Sequence, residues 1–582
     1  MKNYLFIAMA ALSLAACAEK MDDDKVPHSG AVEESYISIS LSSSEPDTRA
    51  NDGTYQEGTA LERAVETAYF FFFDQDGNAF PVNVTDGAVD QPGSAGAKNY
   101  LPAVLNTTNG SDMNNVSDIK NVVLLLKNYE GTYPSGIVAV LNWVPDDKAY
   151  TLEELQDELV EVRNSSMEDK FIMSNAVYAS SGTPASAIYA TPLTADNIFT
   201  DEVNAKANPV TIYVERAAAK VTVTTEGGNT KFDLNKPVTL GSTPTTVYAN
   251  VLGWELYNDY QNSTVLKNID PAWNNVDLGF TWNDSPWFRS YWADSQTTAF
   301  ADNTFQWKYA AIGEGHETVY GYGIGTAADV TNGTYADKTY TYCGENTNRP
   351  EADRTKIILK AQLQEEDGDP VELARWYTTE YLGEDDLRTA VANTLKYTLY
   401  FKDGENYVGL KPEHIKCVAP EYDINGNITN GAPSGIKPYQ VFFQLSPEGE
   451  AKDWYKKEAG AFVHVAADIA VDANSTKATN AQLATVEPAI IYNDGQTYYY
   501  IDVKHLGNSG KDAEYGIVRN HIYSININKI SGYGSPVYVP ISNIVTPEYP
   551  GIGGGDDEYS FVAAEVRILS WRMVQQGVNV QP

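Results

Sequence analysis

Tyr36-Ile37-Ser38-Ile39-Ser40-Leu41 alternates apolar and polar side chains with the period of two that a half-buried β-strand requires. Ile37, Ile39 and Leu41 share one face, and Ser38 and Ser40 share the other, because successive side chains of a strand point to opposite sides. Upstream stands Leu14-Ala15-Ala16-Cys17, and downstream a polar run ends in Thr48-Arg49-Ala50. One short leader therefore carries an address, a strand and a candidate scissile arginine. That combination suggests a strand that fills a groove temporarily and is then cut away. The far end of the chain supplies a candidate replacement: after Gly553-Gly554-Gly555 the chain finishes in a second apolar, strand-like run, Phe561 to Val580.

Residues 1–17 read as a secretory signal. Lys2 is the positive start, and Tyr4 to Leu14 is an apolar stretch too short to span a bilayer. Leu-Ala-Ala-Cys resembles a bacterial lipobox, in which Cys17 is lipidated and becomes the first residue of the processed chain. Elsewhere no stretch reaches 18 apolar residues, so no transmembrane helix is expected. Residues 18–49 are a pro-segment, polar and tether-like over 18–35. Ser42 to Asp47 and Asn51 to Gly53 are turn-like and polar, and Thr48 and Ala50 are small, as at exposed proteolytic sites. Maturation is expected between Arg49 and Ala50, with Arg63 the rival position.

At 582 residues the chain has room for two or three domains with full cores. Only 20% of residues are charged while 12% are aromatic, with 39 Tyr, a balance that suits pleated, half-buried surfaces. The net charge of −37 would be repelled by phosphates, so nucleic acid is excluded as a partner. The same charge favours solubility and keeps monomers apart until they associate. Three cysteines are too few for a disulfide scaffold. Cys343 and Cys417 either bond in an oxidising compartment or lie as two buried apolar thiols.

Two body regions follow the leader. In the first, residues 50–225, strands are predicted at Val65–Phe73, Val122–Leu126, Gly136–Leu141 and Val210–Val214, with helical spacing over Leu152–Val162. Asp74-Gln75-Asp76-Gly77-Asn78 has the look of a calcium loop, but Thr85 stands where the twelfth-position Glu belongs, and a plain turn is expected. The second region, 226–543, holds many short strands between Gly, Asn, Asp and Pro, the spacing of a β-sandwich. Thr355–Leu363, Tyr498–Val503 and Ile522–Ile527 are its clearest strands. Residues 544–582 read as a Gly-rich hinge, Pro547 to Glu558, and a terminal strand. The fold expected is mainly all-β: two tandem sandwiches with minor helices.

Chemistry is sparse. The six histidines stand far apart, and there is no Cys-x-x-Cys, nucleophile elbow, P-loop or dinucleotide fingerprint. No catalytic residue, cofactor or metal is expected, and the chain is not read as an enzyme.

Val214-Glu215-Arg216-Ala217-Ala218-Ala219-Lys220-Val221 resembles a segment of Bacteroidales fimbrillins, the pilin subunits of type V pili. Further pieces are similar to the major, stalk subunit of the short (Mfa-type) fimbria. They are Trp254–Asn258, Phe288–Ala293, Tyr342–Thr347, Val518–Tyr523 and Ile568–Arg572. Asp22-Asp23-Asp24 likewise resembles the surface-export signal of Bacteroidales lipoproteins. The resemblance implies transthyretin-like sandwiches and a lipidated precursor on the outer membrane. It also implies cleavage by an arginine-specific protease and a head-to-tail homopolymer, with anchor and tip subunits as further partners.

The donor strand expected for that polymer is the terminal run. Val562, Ala564, Val566 and Ile568 share a face; Trp571 lies on the opposite parity, and Val578 and Val580 resume an apolar face beyond Gly577. The alternative is a surface glycan-binding lipoprotein, or a tip or accessory fimbrial subunit. It rests on Trp273, Trp282, Trp287, Trp292 and Trp307, flat rings that stack on sugars or fill a core. A binding lipoprotein needs neither a trimmable leader strand nor a free apolar tail, which favours the stalk reading.

Overall fold

The computed structural model describes residues 32–42, 58–59, 61–82, 84–85, 88–90, 96–103, 122–129, 131–162, 166, 170–179, 187–240, 243–257, 259–260, 262–269, 322–326, 339–347, 353–421, 427–437, 439–465, 478–505, 514–538, 561–570 and 573–574. Described residues are mainly strand, as expected, and fall around three large cores, with a small cluster of Ile358, Tyr498 and Val537 beside them.

The first core lies on an eight-stranded sheet. Its strands are β1 (Val32–Ser42), β2 (Ala68–Phe73), β3 (Tyr100–Pro102), β4 (Val122–Tyr129), β5 (Gly136–Leu141), β6 (Met173–Asn175), β7 (Thr191–Pro192) and β8 (Val210–Arg216). They run in the order β3-β2-β5-β6-β8-β1-β4, with β7 added to β5. All neighbours are antiparallel except β1 and β8, which are parallel. Phe70 to Phe73 are buried in unbroken succession, as is the whole of β5, so these central strands are covered on both faces. Between β2 and the following turn, Asp74 accepts from the backbone N–H of Asp76 and Asn78, both at 2.9 Å, and Gly77 takes φ +80°. The calcium-like sequence is an Asx-type turn.

Helical spacing over Leu152–Val162 yields only a short helix, α1 (Leu152–Asp157), opened by a Thr151/Glu154 capping box. Glu158 turns extended, and Leu159–Glu161 instead pairs with Asn262–Thr264, where the β-branched Val160 suits a ladder better than a helix.

The second core lies between two sheets. One contains β9 (Ala219–Thr225). The other contains β10 (Lys231–Leu240) and β11 (Thr243–Tyr257). Later strands are β12 (Gly325–Thr326), β13 (Tyr340–Cys343), β14 (Lys356–Gln364), β15 (Gln496–Asp502), β16 (His521–Ser531), β17 (Ser535–Pro536), β18 (Phe561–Ser570) and β19 (Met573–Val574). The sheet orders are β12-β9-β16-β18-β19 with β13 on β9, and β10-β11-β14-β15-β17. Ala219, Val221 and Val223 of β9 face Val247, Ala249 and Val251 of β11 across this core, with Leu359, Ala361 and Leu363 of β14 beside them. The chain changes sheets between Arg216 and Ala219, a little ahead of the boundary expected at 225.

The second region is more than one sandwich. Between β14 and β15 the chain builds a third core, which includes Ala374, Leu387, Val391, Phe401, Phe443, Trp454 and Ile491. Helix α3 (Gly383–Leu395) and the ribbons 400–409, 415–418, 442–445 and 454–464 enclose it. Cys343 belongs to the second core and Cys417 to the third, and both are buried and outside any disulfide. The disulfide considered from sequence does not form, because the two cysteines serve different cores.

Candidate subunit-joining site

The leader strand is an interior strand. It lies between β4 and β8. From Val32 to Ile39 it pairs antiparallel with Tyr129 to Val122, and from Ile39 to Ser42 it pairs parallel with Val210 to Tyr213. β1 is held by main-chain bonds on both sides, while β4 meets no other strand of that sheet among the described residues.

Ile37 and Ile39 are both 0% exposed and join the first core with Leu124, Leu126, Val210 and Ile212. Complete burial of two such side chains stabilises the docked leader by roughly 1.5–3 kcal/mol each before entropy costs. The opposite face is closed too: Ser38 is 0% exposed, and its hydroxyl has no hydrogen-bond partner among the described residues. Tyr36 exchanges backbone hydrogen bonds with Phe199 at 2.7 and 2.9 Å, just ahead of the helix α2 (Glu202–Ala207). The slot is therefore a two-sided enclosure with room only for a small residue at Ser38. Leu41 is placed by register opposite Ile212.

Beyond the leader the chain re-enters the fold at Thr59. Thr59 N–H donates to Glu62 Oε2 at 2.7 Å, and Glu62 N–H donates back to Thr59 Oγ1 at 3.2 Å. Glu62 is 2% exposed, and three side-chain donors also converge on it. Lys220 Nζ reaches Oε1 at 2.9 Å, Tyr342 OH reaches the same oxygen at 2.7 Å, and Arg216 Nε donates to the Glu62 carbonyl at 2.7 Å. Arg216 Nη1 also donates to Asn520 Oδ1 at 3.3 Å. Burial pushes the Glu62 carboxyl up, but Lys220, Arg216 and the hydrogen bonds outweigh it and hold the group below its ordinary value. Beside this lock Glu215 pairs with buried Lys267 at 3.3 Å, and Arg519 Nε donates to Glu345 at 2.9 Å.

Three segments that carried the resemblance, 214–221, 342–347 and 518–523, thus meet at one junction between the first and second cores. Val265, Leu266, Tyr342 and Ile522 from the second body region pack into the first core at the same place. Sequence reading had passed over Glu62, although Thr59-Leu61-Glu62 before an apolar run carries the capping-box spacing Thr-x-x-Glu.

The rival arginine lies within this lock. Arg63 sits in a 3-10 turn (Leu61–Arg63) between Glu62 and Ala64, each 2% exposed. Asn142 Nδ2 binds the Ala64 carbonyl at 2.8 Å, and its Oδ1 accepts from Glu66 N–H at 2.7 Å.

At the other end, β18 pairs antiparallel with β16, from Phe561 opposite Ser531 to Ser570 opposite His521, with a register shift between Ile527 and Lys529. Val562, Ala564, Val566 and Ile568 all lie on this strand, so the tail is docked on its own second sheet, and β19 folds back on β18. Cys17, Arg49, Ala50, Trp571, Val578 and Val580 lie outside the described residues, as do the hinge 547–558, the segment Phe288–Ala293 and the tryptophans 273, 282, 287, 292 and 307. No group of three His, Cys, Asp or Glu able to hold a metal ion occurs among the described residues.

Residues 490–577 match the family model described as "Major fimbrial subunit protein type IV, Fimbrillin, C-terminal". That segment contains β15 to β19, and with it the sequence pieces Val518–Tyr523 and Ile568–Arg572, so the fimbrillin resemblance read from the sequence is borne out there. The match is confined to this C-terminal segment, which is similar to a fimbrial subunit there. No curated protein matches the chain.

Among solved structures, the chain is similar to a fimbrilin from Porphyromonas gingivalis W83 at 12% identity, covering 96% of this chain and 100% of that one with a TM-score of 0.32. A candidate cell adhesion protein from Parabacteroides distasonis ATCC 8503 matches at 11% identity, over 91% of this chain and 95% of that one, with a TM-score of 0.33. The tip fimbrial protein Mfa3 from Porphyromonas gingivalis matches at 9% identity, over 85% of this chain and 95% of that one, with a TM-score of 0.24.

Proposed function

We propose that this chain is the major stalk subunit of a short-type surface fimbria. It is exported as a lipoprotein anchored through Cys17, cut between Arg49 and Ala50 by an arginine-specific protease, and joined head to tail by donor-strand exchange. The observation that carries this reading is the interior position of β1. A cut between Ser42 and Ala68 turns an interior strand of the first sheet into a detached peptide held only by noncovalent bonds. Arg49 and Arg63 are the arginines in that interval. A protease must bind several residues in extended form, and the 3-10 turn at Arg63, pinned on both sides by buried Glu62 and Ala64, denies it that, whereas polar, turn-like sequence flanks Arg49.

Once the leader and its lipid depart, the slot between β4 and β8 offers two rows of unpaired backbone groups and the pockets of Ile37 and Ile39. A strand from a neighbouring copy restores both by β-strand addition. The donor is the terminal strand, which leaves β16 of its own subunit and presents Val562, Ala564, Val566 and Ile568 to the vacated groove. Such a contact is heterologous and does not close, so it propagates as a filament. Anchor and tip subunits terminate it, and the precursor passes from the outer membrane to an extracellular fimbria that serves adhesion and colonisation.

Limited trypsin treatment of purified precursor, followed by N-terminal sequencing and electron microscopy, tests the reading. Cleaved wild-type protein is expected to begin at Ala50 and form fibres. Arg49→Ala is expected to stay long and form few. A mature terminus after Arg63, or abundant fibres from uncut Arg49→Ala, contradicts the proposal. Deletion of 561–582 is expected to leave a folded monomer that cleavage cannot polymerise.

A further inference from the structure

The enclosed geometry around Ser38 decides how a replacement strand must lie in the slot. We infer that the terminal strand of a second copy takes the leader's place residue for residue and in the same direction, with Phe561 at the Tyr36 position, Val562 at Ile37, Ala563 at Ser38 and Ala564 at Ile39. The inference rests on the donor-strand reading above.

Two ends of one sequence carry it first. Glu33-Glu34-Ser35-Tyr36-Ile37-Ser38 and Glu558-Tyr559-Ser560-Phe561-Val562-Ala563 share Glu, Ser, an aromatic ring, a β-branched apolar residue and a small residue at matching spacing. Ser35 is buried at 8% exposure, and Ser560 matches it.

The slot then rejects the competing registers. Ser38 is 0% exposed between two core positions that are also 0% exposed, so its replacement must be small and uncharged, with apolar residues on each side. Sliding the donor by two residues puts Glu565 at Ser38, and by four puts Arg567 there; either buries a charge without a partner. Sliding by one in one direction puts Glu565 into the core at Ile39, and in the other puts branched Val562 into the space of a serine. The inferred register places Ala563 there and removes a hydroxyl that has no hydrogen-bond partner among the described residues. Glu565 then falls at Ser40, which is half-exposed. Reversing the strand about Ala563 retains the small residue but moves Glu565 to Tyr36 and Val566 to the buried Ser35 position, and loses the aromatic match.

One consequence follows from volume. Ala564 is smaller than Ile39, so the donor underfills the pocket that the leader fills. The leader is the better plug, which explains why exchange must wait for its covalent release.

Cysteine pairs test the register. Ile39 faces Val122 across β1 and β4, so Ala564→Cys of one subunit should come within disulfide range of Val122→Cys of the next. Fibres of the double variant, assembled under reducing conditions and then oxidised, are expected to run as a ladder of oligomers on a nonreducing gel. The pairs V122C/V566C and V122C/V562C are expected to stay monomeric. A ladder from V566C instead overturns the register in favour of a two-residue slip, and one from V562C in favour of a slip the other way or a reversed strand; both leave strand exchange standing. Fibres without a ladder from any pair overturn the donor reading together with the register. Ala564→Ile gives a second measurement that needs no cysteine. Its fibres are expected to dissociate at a higher temperature than wild type, and equal or lower resistance overturns the placement of Ala564 in the Ile39 pocket.

Discussion

Glu62 shows how a single carboxylate ties the segment that follows the leader strand to the first two cores. Its partners come from β8, β9 and β13, and Arg216 extends the contact to Asn520 beside β16. Removing one member of a buried pair leaves the other charged and unpaired, which costs about 3–5 kcal/mol. Lys220→Met is therefore expected to lower unfolding stability by that order, read by chemical denaturation. Glu62→Gln with Lys220→Met should lose less than the sum of the single changes, because the two residues share one interaction. The pH dependence follows from the depressed carboxyl. A group held below its unfolded value of about 4.3 contributes stability that is present above that value and lost as pH falls through the folded one. Wild-type stability should thus drop on acidification below about pH 4, with a shallower drop in Glu62→Gln. An identical slope in both would place the acid-sensitive group elsewhere.

Among elements, β4 depends most on the leader. β2, β5 and β6 each have strand partners on two sides, whereas β4 is bonded to β1 alone among the described strands of its sheet. Local stability follows such pairing. In Arg49-cleaved protein stripped of its leader and lacking 561–582, backbone amides of Val122–Tyr129 should exchange with solvent far faster than those of Gly136–Leu141. Donor entry should restore their protection, and unchanged exchange in β4 would mean that the slot stays rigidly preformed. Most strands were legible in the sequence, because β5, β14 and β16 carry long apolar or alternating runs with clear ends. The second half of the Leu152–Val162 helix was misread, since periodicity did not register the pairing of Leu159–Glu161 with Asn262–Thr264. That partner lies about a hundred residues along the chain.

At the scale of the whole molecule, the division of labour is uneven. The first core holds the slot, the second carries the docked tail, and the third is inserted between β14 and β15 and adjoins the second through Leu373 and Tyr492. Leu387 is 0% exposed on α3 and packs in the third core. Leu387→Ala should cost about 2–5 kcal/mol in that lobe, while fibres still assemble after cleavage at Arg49. A loss of fibres with the first two cores intact, judged by proteolysis, would bring the third lobe into assembly.

The sequence alone determined the β class, the alternation of the leader strand, the candidate cleavage arginine, the apolar face of the tail and the fimbrillin resemblance. Each of these is written locally, in periodicity, composition or short motifs. Only the tertiary structure decided that β1 is interior and not at an edge, that Ser38 is enclosed, that Glu62 closes the junction, and that Cys343 and Cys417 occupy separate cores. Those facts depend on which distant strands lie side by side. Strand neighbours are chosen by the collective burial of surfaces far apart in the chain, a quantity that no local pattern records.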